Sequence, residues 1–433
     1  MLAIPIILSQ LGQIIVQVAD NTMVGQYGGD NPLPLAAASF GGGVFFISYI
    51  TAMGLTLGIT PIVGELFAQG KESELGKYLQ NGFVLHGFIA VLTTILQYCV
   101  MPLMWKMGQP NEVVAMAIPY YQTLVWSLIP VIMFCVIKQF LEGIGNTKIA
   151  MYATIAGNAI NIVLNYMLIW GKFGAPELGV LGAGIATLTA RITQCAILML
   201  YFFLGETLRK YRESFSRLNF SKDAIVRLFK MGLPISLQIL LEASSFAVAG
   251  FIIGLWGAEA ITANQIALTM GNCTFMIIIA LSSSTTIVVS HCFGRGDIKE
   301  MKMASRAALH LMVIWNTLSA VAYFSLRDVL PTFFTSNAEV IELASSILIF
   351  FAAYQLTDGI QAVGVGVLRG MQEVKMIPWI ALVSYWLCNF PLGYYCASVL
   401  EMGPAGIYVG FFVGFFVACV ALCYCIVKRE KSL

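Results

Sequence analysis

The chain has 433 residues, of which 59% are hydrophobic and only 11% carry a charge, whereas soluble domains are about 45–50% apolar and about 25% charged. So few charges cannot cover the surface of a water-soluble protein of this size. The composition therefore indicates an integral membrane protein, and it excludes a disordered chain, a disulfide-rich secreted module and a coiled coil. The 24 basic and 22 acidic residues leave a formal net charge of +2, which gives no reason to expect a nucleic-acid partner.

Twelve apolar segments follow one another along the chain, and each is long enough to cross a membrane as a helix. A hydrocarbon core about 30 Å thick requires about 20 helical residues. The segments are continuous, whereas the strands of a membrane β-barrel alternate over about ten residues, so we predict an all-α membrane protein. The predicted spans are residues 2–26, 33–64, 79–104, 114–139, 149–170, 179–204, 231–256, 261–291, 304–325, 338–367, 376–399 and 405–427.

The distribution of lysine and arginine between the loops sets the predicted orientation. With the N-terminus in the cytoplasm, twenty basic residues fall on the cytoplasmic side, three fall outside, and Arg191 lies within a span. This asymmetry follows the positive-inside rule, so we expect a plasma membrane protein (inner membrane in a bacterium) with both termini cytoplasmic. The first segment has no basic leader and no A-x-A cleavage site, so we interpret it as a true span, and a trimmed N-terminus stays open.

The longest polar stretch, residues 205–230, separates six spans from six spans. We therefore predict three parts of the chain: an N-terminal lobe at 1–204, a cytoplasmic linker at 205–230 and a C-terminal lobe at 231–433.

The two lobes are repeats of one another. Pro5 aligns with Pro234 at an offset of 229 residues, and Gly143 aligns with Gly370 at an offset of 227. Because six is an even number, both lobes begin on the same side of the membrane, so the repeats are parallel and related by a pseudo-twofold axis along the membrane normal. Such repeats are typical of secondary transporters.

Three carboxylates lie deep inside predicted spans: Asp20 in the first, Glu242 in the seventh and Asp358 in the tenth. A charged side chain at the centre of the bilayer costs at least about 2.5–3.5 kcal/mol, so such residues are rare and usually functional. A buried carboxylate can exchange a proton, or trade a proton for Na⁺, so we interpret all three as candidate cation-binding groups. The alternative is a structural carboxylate that neighbouring hydroxyl groups satisfy.

Polar side chains near these carboxylates strengthen the cation interpretation. Tyr354 lies one helical turn before Asp358 and shares its face. Gln265 lies early in the eighth span, and Asn161 and Asn165 lie one turn apart in the fifth. Oxygen ligands are what a hard cation prefers, although the same amides could equally form hydrogen bonds between helices.

The remaining polar residues suggest no metal or catalytic chemistry. None of the ten cysteines forms a C-x-x-C pair, and His86, His291 and His310 are far apart in sequence. We therefore expect no cofactor and no enzymatic activity, since no nucleophile–base pair is evident. We interpret Glu142 as a span-end residue, and we expect Arg191 to pair with another group or to extend towards an interface.

Several motifs make the chain resemble the MATE (multidrug and toxic compound extrusion) family, most closely its NorM-like branch, over essentially the whole length. The first span carries the pattern P-x14-D-x4-G on Pro5, Asp20 and Gly25. Three longer runs also match: LEGIGNTKIAMYATIAGNAINIVLNYMLIWG, GAPELGVLGAGIAT and YQLTDGIQAVGVGVLRGMQ. The last run is the most specific and contains Asp358. The resemblance implies twelve helices in two lobes, and export of lipophilic cationic drugs and dyes in exchange for Na⁺ or H⁺.

The resemblance also implies the positions of two sites. The cation site of NorM-like members lies in the C-terminal lobe, with Na⁺ at the two carboxylates, and corresponds here to Glu242, Asp358, Tyr354 and Gln265. A second site in the N-terminal lobe of related members corresponds to Asp20, Asn161, Asn165 and Thr187. Some members have an aspartate where this chain has Asn165, so the asparagine weakens the case for a proton switch in this lobe. The missing N-terminal leader is a second departure.

Our leading hypothesis is a cation-coupled multidrug antiporter that works by alternating access, as a monomer in the bilayer. The second hypothesis is a lipid-linked saccharide flippase of related architecture. Flippases of that type tend to hold phosphates with basic residues, whereas the intramembrane charges here are mainly acidic. A channel is less consistent with the two-lobe repeat. Both Na⁺ and H⁺ stay open as the coupling ion, and a Glu, Asp, Tyr and Gln set is rich in oxygen, which favours Na⁺.

Overall fold

A computed structural model describes residues 2–29, 31–216 and 220–433 of the chain, and these residues are almost entirely helical. The chain forms two compact units, Met1–Ser236 and Leu237–Leu433. Residues 217–219 of the predicted linker lie outside the described residues.

The first unit contains nine helices within its described residues and the start of a tenth. They are α1 (Ala3–Gly28), α2 (Leu33–Thr56), α3 (Ile59–Ala68), α4 (Glu72–Val100), α5 (Asn111–Trp126), α6 (Leu128–Gly143), α7 (Thr147–Trp170), α8 (Val180–Leu204), α9 (Arg209–Ser216) and α10 (Lys222–Ile253). The boundary between the units falls within α10, just after Pro234. The second unit continues with α11 (Ala258–Arg295), α12 (Ile298–Leu326), α13 (Ala338–Gly370), α14 (Ile377–Ala381), α15 (Asn389–Tyr394) and α16 (Pro404–Ser432).

Within the described residues, eleven helical segments are long and apolar enough to cross a membrane. They coincide with eleven of the twelve predicted spans. The remaining one, the eleventh predicted span at residues 376–399, is also helical, but it alternates between short α-helices and the wider π-helical segments Leu382–Cys388 and Tyr395–Val399. Pro391 follows the first π-helical segment closely. Proline has no N–H to donate and its ring crowds the carbonyl four residues earlier, and a π turn relieves that conflict.

Two predicted spans are each built from a pair of helices. The second span is interrupted between α2 and α3 at Leu57 and Gly58, and the fourth between α5 and α6 at Ser127. The first interruption lies against α10, where a Cβ placed on Gly58 would come within 2.7 Å of the Gly232 nitrogen. Only glycine permits so close a backbone approach.

The linker packs on the first unit through an aromatic contact and ion pairs. Tyr211 is buried, with its ring edge-on to Phe140 at 5.5 Å. Lys210 forms an ion pair with Glu72 of α4. An exposed ion pair contributes only about 0–1 kcal/mol to stability. The buried aromatic contact is therefore expected to stabilise this packing more than the ion pair does.

One side-chain hydrogen bond occurs at equivalent positions in the two halves. In the first unit, Thr60 Oγ1 donates to the Gln139 carbonyl at 3.1 Å. In the second unit, Thr286 Oγ1 donates to the Gly366 carbonyl at 3.0 Å. The pairs are related by offsets of 226 and 227 residues, so the sequence repeat is also a repeat of packing.

The glycines that follow these carbonyls also have equivalent surroundings. A Cβ placed on Gly143 would lie 2.7 Å from Val63 Cγ1, and one placed on Gly370 would lie 2.7 Å from Val289 Cγ1. Small residues of this kind allow membrane helices to pack closely.

Candidate cation-binding sites

The second unit brings together three of the four residues predicted for its site. Tyr354 and Asp358 lie one turn apart on α13, where Asp358 is only 2% exposed. Glu242 lies on α10 and interacts electrostatically with Asp358. The Oδ1 atom of Asp358 is buried and accepts no hydrogen bond within the described part of the chain. An unpartnered buried acceptor is costly, so this oxygen is suited to receive a proton or a cation.

The fourth predicted residue is placed differently. Gln265 is exposed on α11, and its backbone carbonyl accepts a hydrogen bond from the Thr269 hydroxyl at 2.7 Å. The neighbouring amide of Asn264 is buried instead, and its Oδ1 accepts a hydrogen bond from the Tyr408 hydroxyl at 2.6 Å. The structure therefore does not join Gln265 to the carboxylates, and its role as a ligand stays a prediction.

Aromatic rings surround Tyr354 in the second unit. Its ring lies 4.9 Å from Phe351, 5.4 Å from Phe415 and 6.2 Å from Tyr408, measured between ring centroids. Phe246 of α10 stacks on Phe411 at 4.7 Å. Aromatic faces attract cations, so this cluster of rings suits a region that binds a cation.

Sequence reasoning missed two polar residues beside Glu242. Gln238 Nε2 donates a hydrogen bond to Glu242 Oε2 at 2.5 Å, and Arg369 Nη2 donates to Gln238 Oε1 at 2.7 Å. The spacing of four residues between Gln238 and Glu242 was a usable signal, since such residues share a helix face. Arg369 lies beyond the end of the tenth predicted span at residue 367, but within α13.

The π-helical part of the eleventh predicted span also contributes to this region. Gln361 donates a hydrogen bond to the Tyr385 hydroxyl at 2.6 Å, and Trp386 Nε1 donates to the Leu241 carbonyl at 3.2 Å. Tyr385 and Trp386, which are consecutive in this span, therefore contact α13 and α10, the helices that carry the two carboxylates.

The first unit brings together all four residues predicted for its site. The amide nitrogen of Asn165 donates hydrogen bonds to Asp20 Oδ1 and, at 3.1 Å, to Asn161 Oδ1. The amide of Asn161 in turn donates to Thr187 Oγ1 at 3.4 Å. These four side chains form one hydrogen-bonded row across α1, α7 and α8.

Arg191 is held inside the first unit and does not extend towards an interface. Its Nη1 donates to Ser127 Oγ at 2.6 Å, and its guanidinium lies over the rings of Phe45 and Tyr49, at 5.3 and 5.1 Å. It also interacts electrostatically with Asp20. The carboxylate of the first unit therefore has both a hydrogen-bond donor and a cation nearby, whereas Asp358 keeps an unfilled acceptor.

Comparison with known proteins places the chain in a family. The MatE family model matches it twice, over residues 5–167 and 234–395. The two matches start at Pro5 and Pro234, the prolines that the internal repeat aligns.

Solved structures show the same fold. The Vibrio cholerae MATE transporter VcmN in the bent form is 21% identical, with a TM-score of 0.87, and the alignment covers 100% of this chain and 96% of that one. The eukaryotic MATE transporter AtDTX14 is also 21% identical, with a TM-score of 0.87 and the same coverages. A MOP superfamily transporter from Pyrococcus furiosus, described as having a binding pocket of reverse polarity, is 20% identical with a TM-score of 0.89, covering 100% and 95%.

The fold, with eleven helical segments among the described residues that are long and apolar enough to cross a membrane, and the two matches to one family model lead to one conclusion. The chain belongs to the MatE family and is a multi-pass membrane transporter.

Proposed function

We propose that the chain is a NorM-like multidrug efflux transporter, which exports lipophilic cations across the plasma membrane in exchange for Na⁺ or H⁺. The observation that carries the proposal is the pair of carboxylates in the second unit, Glu242 and Asp358. They interact with each other, and Asp358 has an unfilled acceptor. Two neighbouring carboxylates repel one another, so binding of a cation between them is favourable.

The coupling follows from competition or from alternate states. A lipophilic cationic drug and a coupling cation both favour this negative, aromatic-lined region. If each binds best to a different conformation, one expels the other. The protein would act as a monomer, need no cofactor and keep both termini in the cytoplasm.

The alternative, a lipid-linked saccharide flippase, requires free cations that hold phosphate groups. Arg191 and Arg369, which are half-buried inside the helical segments, are the candidates for that role. Each is already engaged, Arg191 by Ser127 and two aromatic rings, and Arg369 by Gln238. These contacts favour a cationic cargo over an anionic one.

Dye efflux from cells that express single-site variants tests this proposal. Glu242→Gln and Asp358→Asn each remove one of the paired carboxylates while keeping the size of the side chain. We expect each to abolish extrusion of a lipophilic cationic dye at unchanged protein levels. Glu342→Gln is the matched control, because Glu342 is an exposed residue of the same α13, and we expect it to extrude dye normally. Full extrusion by both carboxylate variants would refute the proposed site.

A further inference from the structure

Arg369 is linked to Glu242 through a single amide. The guanidinium donates to the oxygen of Gln238, and the nitrogen of Gln238 donates to the Glu242 carboxylate. The amide thus turns its acceptor to the cation and its donor to the anion, which is the orientation that both charges favour. Gln238 is only 3% exposed, so the amide that joins them is shielded from water, and Arg369 and Glu242 act on each other electrostatically.

The internal repeat indicates that packing does not require a cation at this position. Arg369 precedes Gly370, and the aligned residue of the first half is Glu142, which precedes Gly143. Both glycines have the same close valine contact. Glu142 is itself buried, 5% exposed, and lies 3.9 Å from Lys138, so this position accepts either sign of charge.

The first half also lacks a carboxylate at the position equivalent to Glu242, the proposed partner of Arg369. At the offset of 229 residues, Glu242 aligns with Gln13 and Gln238 aligns with Ser9. The half with the carboxylate has the arginine, and the half with a neutral glutamine at that position has a glutamate in place of the arginine. Both differences are explained if the arginine is present to balance the charge of the carboxylate.

We propose that Arg369 is the resident counter-cation of Glu242, which acts through Gln238 and sets how tightly the coupling cation binds. The inference rests on the proposed function, because it concerns the same carboxylate. Arginine stays charged in proteins, so its competition with an incoming cation is permanent. The other charged or titratable groups that act on this region are Asp358, Tyr354 and Tyr385. Arg369 is thus a positioning residue that keeps cation binding weak enough for release.

Equilibrium binding of radioactive Na⁺ to the purified protein, at constant ionic strength, tests the inference without any transport assay. A cation within a few ångströms changes the affinity of a carboxylate for another cation by about tenfold or more. We therefore expect Arg369→Gln to lower the half-saturating Na⁺ concentration by about tenfold. Arg369→Lys keeps the charge, and we expect it to bind Na⁺ much as the unmodified protein does, a result that a purely structural role would not give.

A control and a second variant complete the design. Arg295→Gln removes an exposed arginine of the same unit, which pairs with Glu300 at 2.5 Å, and we expect unchanged Na⁺ binding. If Arg369→Gln fails to fold, Gln238→Met, which has nearly the size of glutamine, breaks the link to Arg369 without adding a charge and should also tighten Na⁺ binding. Equal or weaker binding in the folded variant, or binding in neither protein, would overturn the inference. Tighter Na⁺ binding by Arg369→Gln, together with no dye transport by the unmodified protein, would instead refute the proposed function and leave the inference standing.

Discussion

The two carboxylate regions differ in how completely their hydrogen-bonding capacity is used. In the first unit, Asp20 accepts from Asn165 and lies within the field of Arg191. In the second unit, Asp358 Oδ1 has no donor within the described residues, and its neighbour Glu242 is a second anion. This contrast favours the second unit as the place where a coupling cation binds, and we expect Asp20 to depend more on its structural contacts.

Asn165 is the residue on which the first row of polar groups depends, because its amide donates to both Asp20 and Asn161. Asn165→Leu would leave both acceptors without that donor. A buried unsatisfied polar group costs about 1–3 kcal/mol, so we expect a clear fall in the melting temperature of the purified protein. Asn111→Ala, at an exposed position of α5, serves as the control. An unchanged melting temperature for Asn165→Leu would mean that water or another residue replaces the amide.

Single residues were predictable where the chemistry is unusual for their surroundings. A carboxylate in an apolar run stands out, so Asp20, Glu242 and Asp358 could be identified from sequence, and the helical period added Tyr354. Arg369 could not, since an arginine near the end of a span is ordinary, and only the folded chain shows that it reaches Gln238. Whether Asn264 or Gln265 is buried depends on the rotation of α11 about its own axis. Adjacent helical residues point in directions about 100° apart, so a small rotation exchanges one for the other.

At the scale of elements, the close glycine contacts predict that enlarging the glycine side chain destabilises the two halves to a similar extent. Gly143→Ala and Gly370→Ala would each place a methyl group 2.7 Å from a valine side chain. Valine is branched at Cβ and cannot turn away, so the helices must shift, at a cost of about 1–3 kcal/mol.

The measurement is the melting temperature of each purified variant, and we expect a fall in both. Gly364→Ala is the matched control on α13, because the added Cβ would meet Leu422 at an ordinary 3.5 Å. If Gly370→Ala is as stable as Gly364→Ala, the packing at this repeat position is looser than described.

The helical elements themselves were largely predictable, because an apolar run of about 20 residues in lipid has few alternatives to a helix. Their interruptions were not. The break at Gly58 arises from a close approach to Gly232, which is distant in sequence, and the π-helical segment before Pro391 depends on how the chain accommodates the proline. Hydropathy contains neither kind of information, so both appeared as uninterrupted spans.

At the scale of the whole molecule, the internal repeat is present in the sequence and in the packing, whereas the charged residues differ between the halves. The same family model matches both halves, and the threonine and glycine contacts recur at equivalent positions. The charges do not recur: Glu242 and Arg369 have Gln13 and Glu142 as their counterparts. Two similar scaffolds thus hold different chemistry, which is consistent with one lobe specialising in the coupling cation.

The measurement that tests the central claim most directly uses purified protein in liposomes preloaded with a fluorescent lipophilic cation. A Na⁺ gradient is imposed alone, then a pH gradient alone, and dye movement is recorded for the unmodified protein and for Glu242→Gln. We predict movement that the Na⁺ gradient drives and that Glu242→Gln abolishes. Movement driven by the pH gradient alone would keep drug export and make H⁺ the coupling ion. Dye that stays in place under both gradients would contradict the antiporter and favour the flippase.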